Sequence, residues 1–186
     1  ADMDGDGDED VFLSQNLFGT HEDASRQDAG RGLWLRGDGK GDLVPVPRQE
    51  SGVVVYGEQR GAALSDYDRD GRVDLVVTQN GAETKLYRNK GAVPGLRVRL
   101  VGPEGNPTGV GASIRLGFGE KTGATREVRA GGGYWSQDSP TQVMGTPTPP
   151  VEILVRWPAG ATTAAPIPAG AKEISLNAKG DLRVLR

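Results

Sequence analysis

The stretch Leu96-Arg97-Val98-Arg99-Leu100-Val101 alternates apolar and polar positions along most of its length, and Val151-Glu152-Ile153-Leu154-Val155-Arg156-Trp157 sets Val151, Ile153, Val155 and Trp157 on one side. A period of two is the mark of a strand with one buried face. The same pattern predicts short strands at 113–116, 126–130, 173–176 and 182–185. Turns at Gly102-Pro103, Pro158-Ala159-Gly160 and Lys179-Gly180-Asp181 separate them. Short strands spaced this way suit a β-sandwich or barrel. Nearer the N-terminus, Gly32-Leu33-Trp34-Leu35 and Val53-Val54-Val55-Tyr56 read as strands, and Leu86-Tyr87 ends a third. No convincing stripe with a 3.6-residue period occurs there, so the whole chain is expected to be all-β.

One pattern occurs twice. Residues 2–16, DMDGDGDEDVFLSQN, align without gaps on residues 66–80, DYDRDGRVDLVVTQN, at an offset of 64 residues. Asp2, Asp4, Asp6, Gly7 and Asp10 fall on Asp66, Asp68, Asp70, Gly71 and Asp74, and each set runs into an apolar stretch. Carboxylates this close repel, and a cation is the natural compensation. Ca²⁺ takes about 6–8 hard oxygen ligands. Side chains at loop positions 1, 3 and 5 converge on one ion when the chain wraps round it, and glycine at position 6 permits the bend. Position 7 offers its main chain, which is Asp8 in one copy and Arg72 in the other, and the aspartate at position 9 closes the shell. The expected metal residues are therefore Asp2, Asp4, Asp6, Asp8 and Asp10, and Asp66, Asp68, Asp70, Arg72 and Asp74. An EF-hand is rejected, because its bidentate glutamate at position 12 is replaced by Leu13 and Val77. The expected ion is structural Ca²⁺ rather than Mg²⁺, which prefers fewer carboxylates and keeps its waters. Asp8 and Glu9 add negative charge to the first loop where Arg69 and Arg72 add positive charge to the second, so the first should bind more tightly.

Composition narrows the picture. The 186 residues carry a formal net charge of −3, which does not point to nucleic acid. The charge is unevenly spread: residues 1–91 hold 18 acids against 11 bases, and residues 92–186 hold 7 against 11. That asymmetry suggests two units, 1–91 and 92–186, joined near Gly91-Ala92-Val93-Pro94-Gly95. Cysteine is absent, so neither disulfides nor thiolate metal sites are possible. No apolar run is long enough to span a bilayer, so no membrane insertion is expected. The chain starts inside an acidic motif, which suggests a fragment or a processed product.

The acidic loops running into strands resemble the FG-GAP or VCBS repeats of integrin-like β-propellers. Gly81-Ala82-Glu83-Thr84-Lys85-Leu86-Tyr87-Arg88-Asn89 resembles the exit from the last such blade. The second half resembles the ASPIC/UnbV domain through Gly109-Val110-Gly111-Ala112, the run from Arg126 to Gln137, and Val155-Arg156-Trp157-Pro158-Ala159-Gly160. Propeller followed by ASPIC/UnbV is the arrangement of the cartilage acidic protein-like family. The resemblance implies the C-terminal blade or blades of a β-propeller, then a small sandwich- or barrel-like β-domain. It also implies an extracellular or periplasmic calcium-dependent adhesion or interaction module, with no established catalytic reaction. One blade cannot bury its own faces, so missing blades or self-association are expected to complete it.

The remaining candidates have plainer readings. Arg36-Gly37-Asp38 spells an integrin-recognition tripeptide but suits a hairpin turn. Tyr134 and Trp135 after three glycines could form a stacking platform for sugar or protein, against a bend with core aromatics. Trp34 and Trp157 read as core. His21 is the single histidine, and no elbow motif frames a serine for a triad. The expected function is a non-catalytic, secreted, calcium-binding module for a protein or glycan ligand not yet identified. The alternatives are an enzyme or glycan-binding accessory domain acting on extracellular polysaccharide, and a self-assembling surface protein.

Overall fold

The computed structural model describes residues 1–19, 21–25 and 30–186. Apart from one four-residue helical turn, α1 (Arg48–Ser51), the described elements are strands. The N-terminal region contains two three-stranded antiparallel sheets. The first joins β1 (Val11–Leu13), β2 (Leu33–Gly37) and β3 (Leu43–Pro45); the second joins β4 (Glu58–Ser65), β5 (Asp74–Asn80) and β6 (Ala82–Tyr87). Each acidic loop leads directly into a strand, the first into β1 and the second into β5.

A small core of Val53, Val55, Leu75 and Val77 lies between these sheets, with Phe12, Ala62, Leu64 and Tyr87 packed against it. Val53-Val54-Val55-Tyr56 is not a strand, contrary to its β-branched composition. Val53 and Val55 still point inward, at 6% and 1% exposure. Val54 is fastened by a side chain instead of a ladder: its N–H donates to the Tyr87 hydroxyl at 3.2 Å, and that hydroxyl donates to the Val54 carbonyl at 2.7 Å. Burial set the spacing of the apolar residues here, and a phenol supplies the backbone partners that burial requires.

The C-terminal region is a two-sheet sandwich. One sheet orders β10 (Arg126–Glu127), β8 (Ser113–Phe118), β12 (Glu152–Arg156) and β13 (Thr162–Pro166), with β9 (Lys121–Thr122) also on β8. The other orders β11 (Gln142–Met144), β7 (Leu96–Val101), β14 (Glu173–Asn177) and β15 (Leu182–Val184). The pairing of β7 with β14 is parallel. Val98, Ile114, Ile153, Val155, Ile174 and Leu176 are completely buried between the sheets. Each such side chain contributes about 1.5–3 kcal/mol of transfer free energy. Trp157 closes the core at 5% exposure, its indole N–H donating to Thr163 Oγ1 at 3.0 Å. Val151 leaves the inward row predicted for it: it precedes β12 and is half exposed.

Candidate metal centre

The two acidic loops fold almost identically. In the first, Asp2 Oδ2 accepts the Gly7 N–H at 2.9 Å; in the second, Asp66 Oδ2 accepts the Gly71 N–H at 2.8 Å. Asp10 accepts from Met3 N (2.7 Å) and Gly37 N (2.9 Å), and Asp74 from Tyr67 N (3.1 Å) and Asn89 N (2.8 Å). The wrap needs a left-handed residue at position 4 as well as position 6. Gly5 fills position 4 at φ 84° and Arg69 fills it at φ 61°, where a side chain costs about 1–2 kcal/mol.

This wrapping gathers three carboxylates in each loop. One oxygen from each of Asp2, Asp4 and Asp10 lies within 4.8 Å of the others, and Asp66, Asp68 and Asp74 do the same. The position-5 residues stand outside these trios. Asp6 Oδ1 accepts its own loop's Asp8 N–H at 2.9 Å. Asp70 takes the Arg72 N–H at 3.0 Å and the Arg72 and Arg88 guanidinium groups at 3.1 and 3.3 Å. At position 7 the Asp8 carbonyl accepts Arg126 Nη2 at 3.1 Å. The Arg72 side chain folds over to the Ala92 carbonyl at 2.7 Å.

Two arginines from outside each loop attend it, and the sequence pattern did not reveal them. Arg97, on β7, binds Asp66 through both its carbonyl and its carboxylate, and also holds Glu173 Oε2 at 3.2 Å. Arg126, on β10, sits 3.9 Å from Asp2 Oδ2 and 3.0 Å from Glu9 Oε1. Both guanidiniums are buried and come from the sandwich. The other pair is half exposed and comes from the repeat region: Arg36 Nε lies 2.7 Å from Asp4 Oδ2, and Arg88 Nε lies 2.6 Å from Asp68 Oδ2.

The loops also clasp the connection between the two regions. Val93 N donates to the Asp4 carbonyl at 2.9 Å and Gly95 N to the Gly71 carbonyl at 2.8 Å. Asn89 Nδ2 donates to the Met3 and Val73 carbonyls at 2.6 and 3.0 Å, tying one loop to the other.

The donor set fits a hard divalent cation: several carboxylate oxygens converge, and the position-1 and position-9 aspartates are buried. Burial pushes the Asp2 carboxyl up to about 6 against the opposing pull of Arg126, and Asp4 and Asp74 are also raised, chiefly by burial. At Asp2 burial thus outweighs the nearby arginine. Asp2, Asp4 and Asp10, and Asp66, Asp68 and Asp74, are the residues that would hold an ion.

Residues 2–77 match the FG-GAP-like repeat family, and residues 102–181 match the family described as ASPIC and UnbV. The chain joins an FG-GAP-like repeat to an ASPIC and UnbV domain. No curated protein matches it. Both acidic trios thus lie inside the FG-GAP-like repeat, and both buried arginines reach them from the C-terminal side, where Arg97 precedes the segment matched by the ASPIC and UnbV family and Arg126 lies within it.

Other candidates settle differently. Trp135 is 86% exposed and stacks on Tyr134 with ring centroids 5.4 Å apart, so the pair is not core. Arg36 of the Arg36-Gly37-Asp38 tripeptide is engaged by Asp4 and Glu50 and lies over the Trp34 ring. Trp34 is half-buried rather than fully enclosed. His21 is exposed beside Asp23. Glu127 is held by Arg129 at 3.1 Å, and Asp138 accepts the Leu64 N–H at 2.8 Å. Both acids line a cleft of about 1060 Å³ between the repeat and the domain, which Tyr134 also borders. No helix is long and apolar enough to cross a membrane among the described residues.

Proposed function

We propose that the chain is a non-catalytic, calcium-binding interaction module of an extracellular or periplasmic protein, with Ca²⁺ held structurally in its two acidic loops. The observation that carries this reading is the duplicated trio of carboxylates, built by matching hydrogen bonds in loops 64 residues apart. The ion supplies the positive charge that buried aspartates require, so its binding free energy becomes stability of the repeat. Asp2 and Asp66 would then bridge cation and domain, since each shares its carboxylate with an arginine of the sandwich. The ligand side of the module is a protein or glycan, and the exposed Tyr134–Trp135 pair is the surface suited to meet it.

Calorimetric titration of the metal-free chain with CaCl₂ tests the ion. Two binding events are expected, with Asp4→Ala removing one and Asp68→Ala the other. Absence of binding by the wild-type chain, or isotherms unchanged in both variants, rejects the reading. A polysaccharide-acting enzyme is the competing class, and its two carboxylates must face each other across a glycosidic bond. Turnover of a chromogenic glycoside panel, lost in Glu127→Gln or Asp138→Asn, would favour that class instead.

A further inference from the structure

Arg36 and Arg88 occupy equivalent places that the sequence conceals. Val11 and Leu75 correspond through the 64-residue offset; Val11 pairs with Leu35 and Leu75 pairs with Tyr87. Arg36 and Arg88 are the next residues, so each hairpin returns an arginine to the acidic loop that began it. Their separations from the position-3 aspartates differ, 32 residues for Asp4–Arg36 and 20 for Asp68–Arg88, because the first hairpin has the longer connection. Each nonetheless brings Nε to ion-pair distance of Oδ2 of that aspartate.

Exposure separates this pair from the buried arginines. The Arg36 and Arg88 side chains are 39% and 49% exposed, against 8% and 4% for Arg97 and Arg126. Each also has a second place to rest. Arg36 reaches Glu50 and lies 5.3 Å from the Trp34 ring, and Arg88 reaches Asp70 Oδ2 at 3.3 Å. A guanidinium so placed can shift off the position-3 carboxylate without being stranded in a dry interior.

We propose that Arg36 and Arg88 are resident counter-ions that set the cation affinity of the two loops. This inference rests on the calcium reading above. Each holds the position-3 carboxylate while the loop lacks its ion, and yields part of that carboxylate when the ion binds. A guanidinium and a divalent cation repel while drawing on the same negative charge, so each arginine weakens cation binding and steadies the ion-free loop. Repulsion between a unit charge and a divalent ion a few ångströms apart, even screened by water, is worth about a tenfold change in affinity or more.

The test is CaCl₂ titration of the full chain and of Arg36→Gln, Arg88→Gln, Arg36→Lys and Arg88→Lys, with thermal melting in chelator and in calcium. Each glutamine variant is expected to tighten one of the two sites about tenfold and leave the other unchanged. Each lysine variant, which keeps the charge, stays close to wild type. In chelator the glutamine variants melt lower than wild type, and calcium raises their melting temperature by a larger increment. Unchanged or weaker binding by glutamine variants that melt cooperatively overturns the proposal while the calcium sites stand. No binding by the wild-type chain overturns both. Equal tightening by lysine and glutamine assigns the effect to packing rather than charge, and also overturns it.

Discussion

Replacing Arg97 by methionine removes the buried cation that bridges two buried carboxylates, leaving Glu173 only the half-exposed Arg99 at 3.9 Å. Its side chain is 8% exposed, and those of Asp66 and Glu173 are 1% and 8% exposed. Methionine keeps much of the aliphatic volume, so the loss is dominated by charge rather than by a cavity. Stranding a buried charge by deleting its partner costs about 3–5 kcal/mol. At about 2–4 °C per kcal/mol for a chain of this size, the melting temperature should fall by roughly 10 °C. Urea unfolding followed by tryptophan fluorescence gives the free energy. Arg115→Met is the control, since Arg115 is an exposed sandwich arginine bonded to Thr125, and its loss should stay within about 0.5 kcal/mol. Adding Glu173→Gln to Arg97→Met should restore at least about 1 kcal/mol, because one stranded charge becomes neutral. A loss below about 1 kcal/mol in Arg97→Met, or no recovery in the double variant, would refute the view that this ion pair fastens domain to loop.

Two further outcomes follow from the loops. A Cβ at Gly5 would come within 2.2 Å of the Val93 carbonyl, so Gly5→Ala should destabilise strongly, whereas Arg69→Gly at the equivalent place should stabilise by about 0.5–1 kcal/mol in chemical denaturation. In chelator, pH should matter through Asp2, whose folded carboxyl is raised from 3.8 to about 6. Folding then favours the protonated form, so this stabilisation is complete below the unfolded value and is lost as pH rises through the folded one. It amounts to about 3 kcal/mol, and urea midpoints should fall between about pH 4 and pH 6, less so in Asp2→Asn. Midpoints that rise over that interval would contradict the burial assigned to Asp2.

The parts of this architecture legible in sequence were those governed by one local rule. The alternation in 96–101 marked β7 because that strand has an inward face, and the aspartate spacing marked the loops because one wrapped turn gathers its own ligands. Elements specified by distant partners were hidden. Strand β4, with the sequence Glu-Gln-Arg-Gly-Ala-Ala-Leu-Ser, has little β propensity and is held by its ladder to β5. The strand predicted at Val53-Val54-Val55-Tyr56 failed for the converse reason: its apolar spacing is real, but Tyr87 supplies the partners for Val54. The arginines were the largest omission at the candidate site. Their loop partners lie far off in sequence, 118 residues away for Asp8 and Arg126 and farther still for Asp2 and Arg126, and no spacing rule spans such distances. Register alone aligned Arg36 with Arg88, and register exists only after pairing.

The fastening of Val93 to Asp4 and of Gly95 to Gly71 has a mechanical consequence. A connector bonded to both loops is no swivel. Tension drawn through it would reach the two loops side by side, shared like a load between paired rivets, so the junction would carry pull without first letting out slack.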